Sequence, residues 1–221
     1  MSQQFLKLIQ RGATAEIADA VAADPGLILW RDAQGVSALM WSIYSGQDLV
    51  RDFLLVEMER TNDELDIFEA SSIGRLAVIE SLLADTPQLV GEYSPDGWTP
   101  LHLAAAFGTP EAVKLLLDYR APVDAVSRNP QANQPLHAAL ALGRNPETVR
   151  LLLNAHADPN ARQTAGFTAL FSAAAANRRD LAEILIARGA NPALQSDLGQ
   201  TAAGFARERG HNELADWLES L

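Results

Sequence analysis

Residues 96–117 read Asp-Gly-Trp-Thr-Pro-Leu-His-Leu-Ala-Ala-Ala-Phe-Gly-Thr-Pro-Glu-Ala-Val-Lys-Leu-Leu-Leu. Gly97 supplies a turn. Thr99 offers a hydroxyl to cap a helix, and Pro100 takes the first helical position, where its missing N–H costs nothing. Leu101, Ala104 and Ala105 make a narrow apolar face that a neighbour can approach closely. Gly108 ends this helix, and Val113, Leu116 and Leu117 give the next one a buried stripe. Two short helices of this kind cannot bury their apolar faces alone, so the unit requires stacked copies.

Copies are present. Thr99-Pro100-Leu101-His102 is echoed by Gln134-Pro135-Leu136-His137, Thr168-Ala169-Leu170-Phe171, Thr201-Ala202-Ala203-Gly204 and Ser37-Ala38-Leu39-Met40. Leu65-Asp66-Ile67-Phe68 and Gln3-Gln4-Phe5-Leu6 follow more loosely. The first positions fall at 3, 37, 65, 99, 134, 168 and 201, so the steps are 34, 28, 34, 35, 34 and 33. Nine residues after each start stands Gly12, Gly46, Gly74, Gly108, Gly143, Asn177 or Gly210. Glycine, with asparagine next, is the residue that accepts a left-handed helix cap.

The period, the Thr-Pro-Leu-His tetrad, the Ala-Ala pair and the Leu-Leu-Leu run resemble the ankyrin repeats. The match is most specific over residues 96–193. The resemblance implies an all-α solenoid of about seven helix-turn-helix units with short β-hairpin-like loops. The units fall near 1–34, 35–62, 63–96, 97–131, 132–165, 166–198 and 199–221, the first and last acting as caps. It implies protein binding on a concave face and no catalysis, and it places His102 and His137 in hydrogen bonds to neighbouring hairpin backbone.

Two units depart from the pattern. The third starts only 28 residues after the second, and no glycine marks its turn. The sequence predicts that the second unit's last helix ends near Val56 or Glu57. It also predicts that the projecting hairpin is missing before the third unit. The fifth unit carries one extra residue around Arg144-Asn145-Pro146.

Composition narrows the function. There are no cysteines, which excludes disulfides and thiolate metal sites and suggests a reducing, cytoplasmic home. The N-terminal residues lack a basic start and a sustained apolar run, so no signal peptide is expected. No segment approaches the ~20 apolar residues that span a bilayer. A net charge of −11 argues against a nucleic-acid binder. The charge is uneven: residues 1–110 hold 16 acidic and 6 basic side chains, against 12 and 11 in the remainder.

No chemistry-bearing constellation emerges. The four histidines are scattered, and His102 and His137 stand a repeat apart, too far to share a metal. Neither a nucleophile elbow nor a phosphate-binding glycine loop is present. The expectation is a monomer that is not an enzyme, takes no cofactor or metal, and binds a protein. The candidate contacts flank the turn residue or close the first helix of each unit: Val36, Tyr44, Ile73, Trp98, Phe107, Leu142 and Phe167. Whether Trp98 and Phe107 face solvent or tuck between repeats is open at this level. An alternative reading makes the chain an assembly chaperone or inhibitor that masks a basic surface with its acidic N-terminal half.

Overall fold

The computed structural model describes residues 2–143 and 145–221. The described residues form fourteen α-helices that fall into consecutive pairs. These are α1 Ser2–Gln10 with α2 Thr14–Ala23, α3 Ala38–Tyr44 with α4 Asp48–Thr61, and α5 Ile67–Ile73 with α6 Leu76–Asp85. Next come α7 Pro100–Ala106 with α8 Pro110–Asp118, and α9 Pro135–Ala138 with α10 Pro146–Asn154. The last are α11 Ala169–Ala175 with α12 Arg179–Ala187, and α13 Ala202–Glu208 with α14 Asn212–Glu219. First helices stack on first helices, as α5 on α7 and α7 on α9, while α6, α8, α10 and α12 form the second layer.

Local chemistry sets each first helix. The hydroxyls of Ser37, Thr99 and Thr201 accept from the backbone N–H three residues on, at 3.2, 3.4 and 3.2 Å. Between the layers lie Leu101, Leu116, Leu136, Leu152, Leu170 and Leu185, all fully buried. The alanines at 104, 105, 139, 173 and 174 let neighbouring first helices approach. Short hairpins join successive units, and their tips are linked by backbone. Arg128 N–H donates to the Gly97 carbonyl at 2.8 Å, Thr164 to Gln131 at 3.0 Å and Asp197 to Ala165 at 3.0 Å.

Glycine at the helix end serves two different purposes. Gly46 sits at φ 65 with open space where a Cβ would be, so conformation alone selects it. Gly108 has no positive φ. A Cβ there would lie 2.4 Å from the Ser71 carbonyl oxygen, so it is the close approach of α5 to α7 that requires glycine.

The third unit is where sequence and structure part. Helix α4 runs on to Thr61 instead of ending near Val56 or Glu57, because Met58 is still on its buried stripe. Asn62, at φ 57, closes it, and residues 62–66 alone connect to α5, in keeping with a missing hairpin. The first turn of α5 is set by Asp66, not Leu65. Its carboxylate accepts from Phe68 and Glu69 N–H at 2.9 and 2.8 Å, and the Glu69 carboxylate in turn accepts from Asp66 N–H at 3.0 Å. In the fifth unit the extra residue is taken up by a π turn, Ala139–Gly143, directly after α9. Arg144 lies outside the described residues, and Asn145 caps α10 by accepting from Glu147 N–H at 2.9 Å.

The buried apolar residues separate into two large clusters at this point. One runs from Phe5 to Met58 and the other from Ile67 to Leu218, with Leu65 packing against both.

Candidate partner-binding face

Because no hairpin intervenes between α4 and α5, the second and fourth units meet directly. The Tyr44 hydroxyl donates to Asp96 Oδ2 at 2.7 Å across a separation of 52 residues. Its ring packs against Phe107 at 5.5 Å between centroids and edge-on against Trp41 at 6.1 Å. Asp96 Oδ1 also accepts from Ser94 Oγ at 2.6 Å. Burial, and then the Asp96 carboxylate, push the Tyr44 phenol far above its ordinary range, so it stays a donor. Val36, Met40 and Leu103 form a small buried cluster beneath, with Tyr44, Trp98 and Phe107 packed on it.

Above this cluster opens a groove of about 470 Å³. Tyr44, Trp98, Phe107 and Leu142 line it, with Asp96, Asn129, Pro130 and Gln131 on its hairpin side. The three rings are half-buried and held in place, while Leu142 is 50% exposed. A second groove of about 670 Å³, along the turn ends of the units, shares Phe107 and Leu142 and takes in Ile73. Four of the seven residues singled out in the sequence thus meet in one groove, and Ile73 stands in its neighbour.

Two do not belong. Val36 is only 5% exposed, so it supports the rings from below and offers no contact surface. Phe167 packs against Phe171 and Phe205 at 5.1 and 5.3 Å, in a separate aromatic cluster of the last two units. Asn129 and Pro130 were not anticipated. The signal was the Ser127-x-Asn129 turn. Asn129 Oδ1 accepts from Ser127 Oγ at 2.9 Å and from Gln131 N–H at 3.2 Å, and Nδ2 donates to the Asp96 carbonyl at 3.4 Å.

The histidines of the tetrad are structural. His102 Nδ1 accepts from Thr99 N–H at 3.3 Å and Nε2 faces the Asn133 carbonyl at 3.0 Å, so Nε2 carries the proton. Trp98 meets its ring edge-on at 5.4 Å. His137 repeats the arrangement on Gln134 N–H and the Ala161 carbonyl. Burial pulls His102 down to about 4 and lowers His137 as well. Glu69 is also buried. Its carboxyl is raised by burial first and by Asp66 second, against the Ser37 hydroxyl, the Asp66 N–H and Arg31 at 3.6 Å. Among the described residues no cluster of His, Cys, Asp or Glu could hold a metal ion, and no helix is long and apolar enough to cross a membrane.

What this geometry defines is a stack of helix pairs that carries an apolar groove with polar edges. The chain belongs to the ankyrin-repeat family: the family profile described as "Ankyrin repeats (3 copies)" matches residues 67–163 and 144–220. Members of this family are protein–protein interaction modules. A putative ankyrin repeat-containing protein of Treponema pallidum is 40% identical over 111 residues, which cover 50% of this chain and 37% of that protein. A probable E3 ubiquitin-protein ligase of Oryza sativa, XBOS31, is 38% identical over 94 residues, 42% of this chain and 21% of the ligase. Neurogenic locus notch homolog protein 1 of Danio rerio is 33% identical over 157 residues, 56% of this chain and 6% of that protein. The chain spans well under half the length of these relatives.

Proposed function

We propose that the chain is a non-catalytic scaffold that holds one protein partner on the concave face, in the groove lined by Tyr44, Trp98, Phe107 and Leu142. The observation that carries this is an exposed leucine beside three rings already fixed by packing and by the Tyr44–Asp96 bond. Large aromatic side chains ordered before binding lose little entropy on contact, and such residues dominate interface energies. The chain acts as a monomer in the cytoplasm, divided into the seven units given by the repeat starts.

Leu142 makes the test clean, because half of it is already in water. Leu142→Asp is expected to abolish capture of the host partner while stability stays within about 0.5 kcal/mol of wild type. Side-by-side affinity capture from the native host, with thermal melts of both proteins, reads this out. Undiminished capture of the same partner by Leu142→Asp would remove the groove from the interface.

A further inference from the structure

A different groove opens in the second-helix layer, where α4 and α6 pack less closely than α2 with α4 or α6 with α8. Its volume is about 530 Å³. The cause is the irregular third unit. The long α4 and the short connection to α5 leave the two second helices splayed, with apolar side chains between them that nothing covers. Leu55, Leu65, Val78 and Leu82, all half-buried, and the buried Met58 form its floor. The rim is acidic. Glu59, Asp63, Glu64 and Asp85 stand around it, against the single guanidinium of Arg75, which reaches Glu59 at 3.5 Å.

We propose that this groove seats an amphipathic helix of a partner protein, with apolar residues at i, i+3, i+4 and i+7 and Lys or Arg on its flanks. The floor requires apolar side chains, and the rim, with three carboxylates in excess, requires cationic ones beside them. The groove walls are two helices whose backbone groups are already bonded within themselves. They offer no strand edge for an extended peptide, so the occupant must satisfy its own backbone, as a helix does. This gives the acidic half of the chain a contact surface separate from the Trp98 groove, with a demand on charge that the other groove does not make.

The test uses the whole chain and a synthetic peptide of about 14 residues with Leu at the apolar positions and Lys elsewhere. A second peptide carries Glu in place of each Lys. Fluorescence anisotropy with labelled peptide reads the affinity, and circular dichroism melts check the fold of each variant. The Lys peptide is expected to bind and the Glu peptide not to. Glu64→Lys with Asp85→Lys should weaken binding at least about tenfold. Ser81→Trp, which fills the groove without changing charge, should do the same. Asp19→Lys with Glu213→Lys, the same charge change on exposed sites elsewhere, should leave most of the affinity, and Trp98→Ala should leave it intact. Equal losses from the two charge-reversed pairs would mean a diffuse charge effect and overturn the proposal. So would full binding by Ser81→Trp, binding of the Glu peptide, or no binding of the Lys peptide to wild type.

Discussion

Residues 96–200 and residues 30–66 solve one problem, joining a repeat to the next, in two ways. In the later stretch backbone bonds tie each hairpin to the next. Hairpin tips bond one another through Arg128 to Gly97, Thr164 to Gln131 and Asp197 to Ala165. His102 and His137 each bridge to a carbonyl of the hairpin ahead. In the earlier stretch the hairpin before α5 is missing, and side chains take over. Arg31 reaches Asp66 at 3.0 Å and Glu69 at 3.6 Å, and Tyr44 bonds Asp96 beyond the third unit. Backbone joints between hairpin tips recur through the later repeats, with side-chain contacts such as Arg162 to Asp197 added to them. At the third unit side chains act without the hairpin, and the acidic α4–α6 groove is left open beside them. Of the two regions, the irregular joint is the one beside which the second helices part and leave a groove.

The sharpest way to break this comparison is through the core. Leu116 is fully buried amid the regular repeats, so Leu116→Ala should cost about 2–5 kcal/mol. The half-buried Leu65 is a smaller loss, but it packs against both apolar clusters. Leu65→Ala is therefore expected to broaden or split the denaturant transition, whereas Leu116→Ala shifts it. Nearest-neighbour coupling governs cooperativity in repeat arrays, so a single sharp transition for Leu65→Ala would mean that the joint at α4–α5 is as strong as the others.

Next in size is pH. His102 is neutral in the fold, with its pKa lowered to about 4 by burial, while in the unfolded chain it takes the ordinary value near 6.5. The unfolded state then binds more protons in between. The stabilisation is complete above pH ~6.5 and is lost as pH falls toward 4. By pH ~4.5 the loss is on the order of 2 kcal/mol from His102, with His137 acting in the same direction. Melts followed from pH ~7 to ~4.5 should show it, and His102→Gln should flatten the slope. An unchanged slope in that variant would assign the acid sensitivity elsewhere, with the acidic N-terminal half the first place to look.

The regular part was legible because its determinants are local. A capping hydroxyl, a proline at the next position and a glycine nine residues on each act within one turn of chain. The third unit hid its register because Asp66 and Glu69 do the capping that Thr99 and His102 do elsewhere, in a tetrad that looks displaced by one residue. The length of α4 was hidden too: Met58 continues the buried stripe through a stretch that reads as a polar link. Repeat position alone brought Tyr44, Trp98, Phe107 and Leu142 forward as groove residues. It could not show Val36 beneath them, which depends on Leu103 of the fourth unit meeting the second once a hairpin is missing, nor Phe167 turned toward Phe171 and Phe205, which depends on how the last two units pack.

The smallest effect tests the joint itself. Tyr44→Phe keeps the ring against Phe107 and removes only the hydroxyl bonded to Asp96. A neutral donor on a partly buried carboxylate is worth about 0.5–1.5 kcal/mol net, since water can replace part of it. A double-mutant cycle with Asp96→Ala isolates that pair, because each single variant also disturbs other contacts, Ser94 among them. Coupling of that size means the side-chain joint is an energetic link between the second and fourth units. It would also explain why the rings of the groove are ordered without a partner. Zero coupling would leave the buried Val36–Met40–Leu103 cluster and the Tyr44–Phe107 ring contact to join the second and fourth units and to order the groove floor, with the hydroxyl adding nothing to the joint.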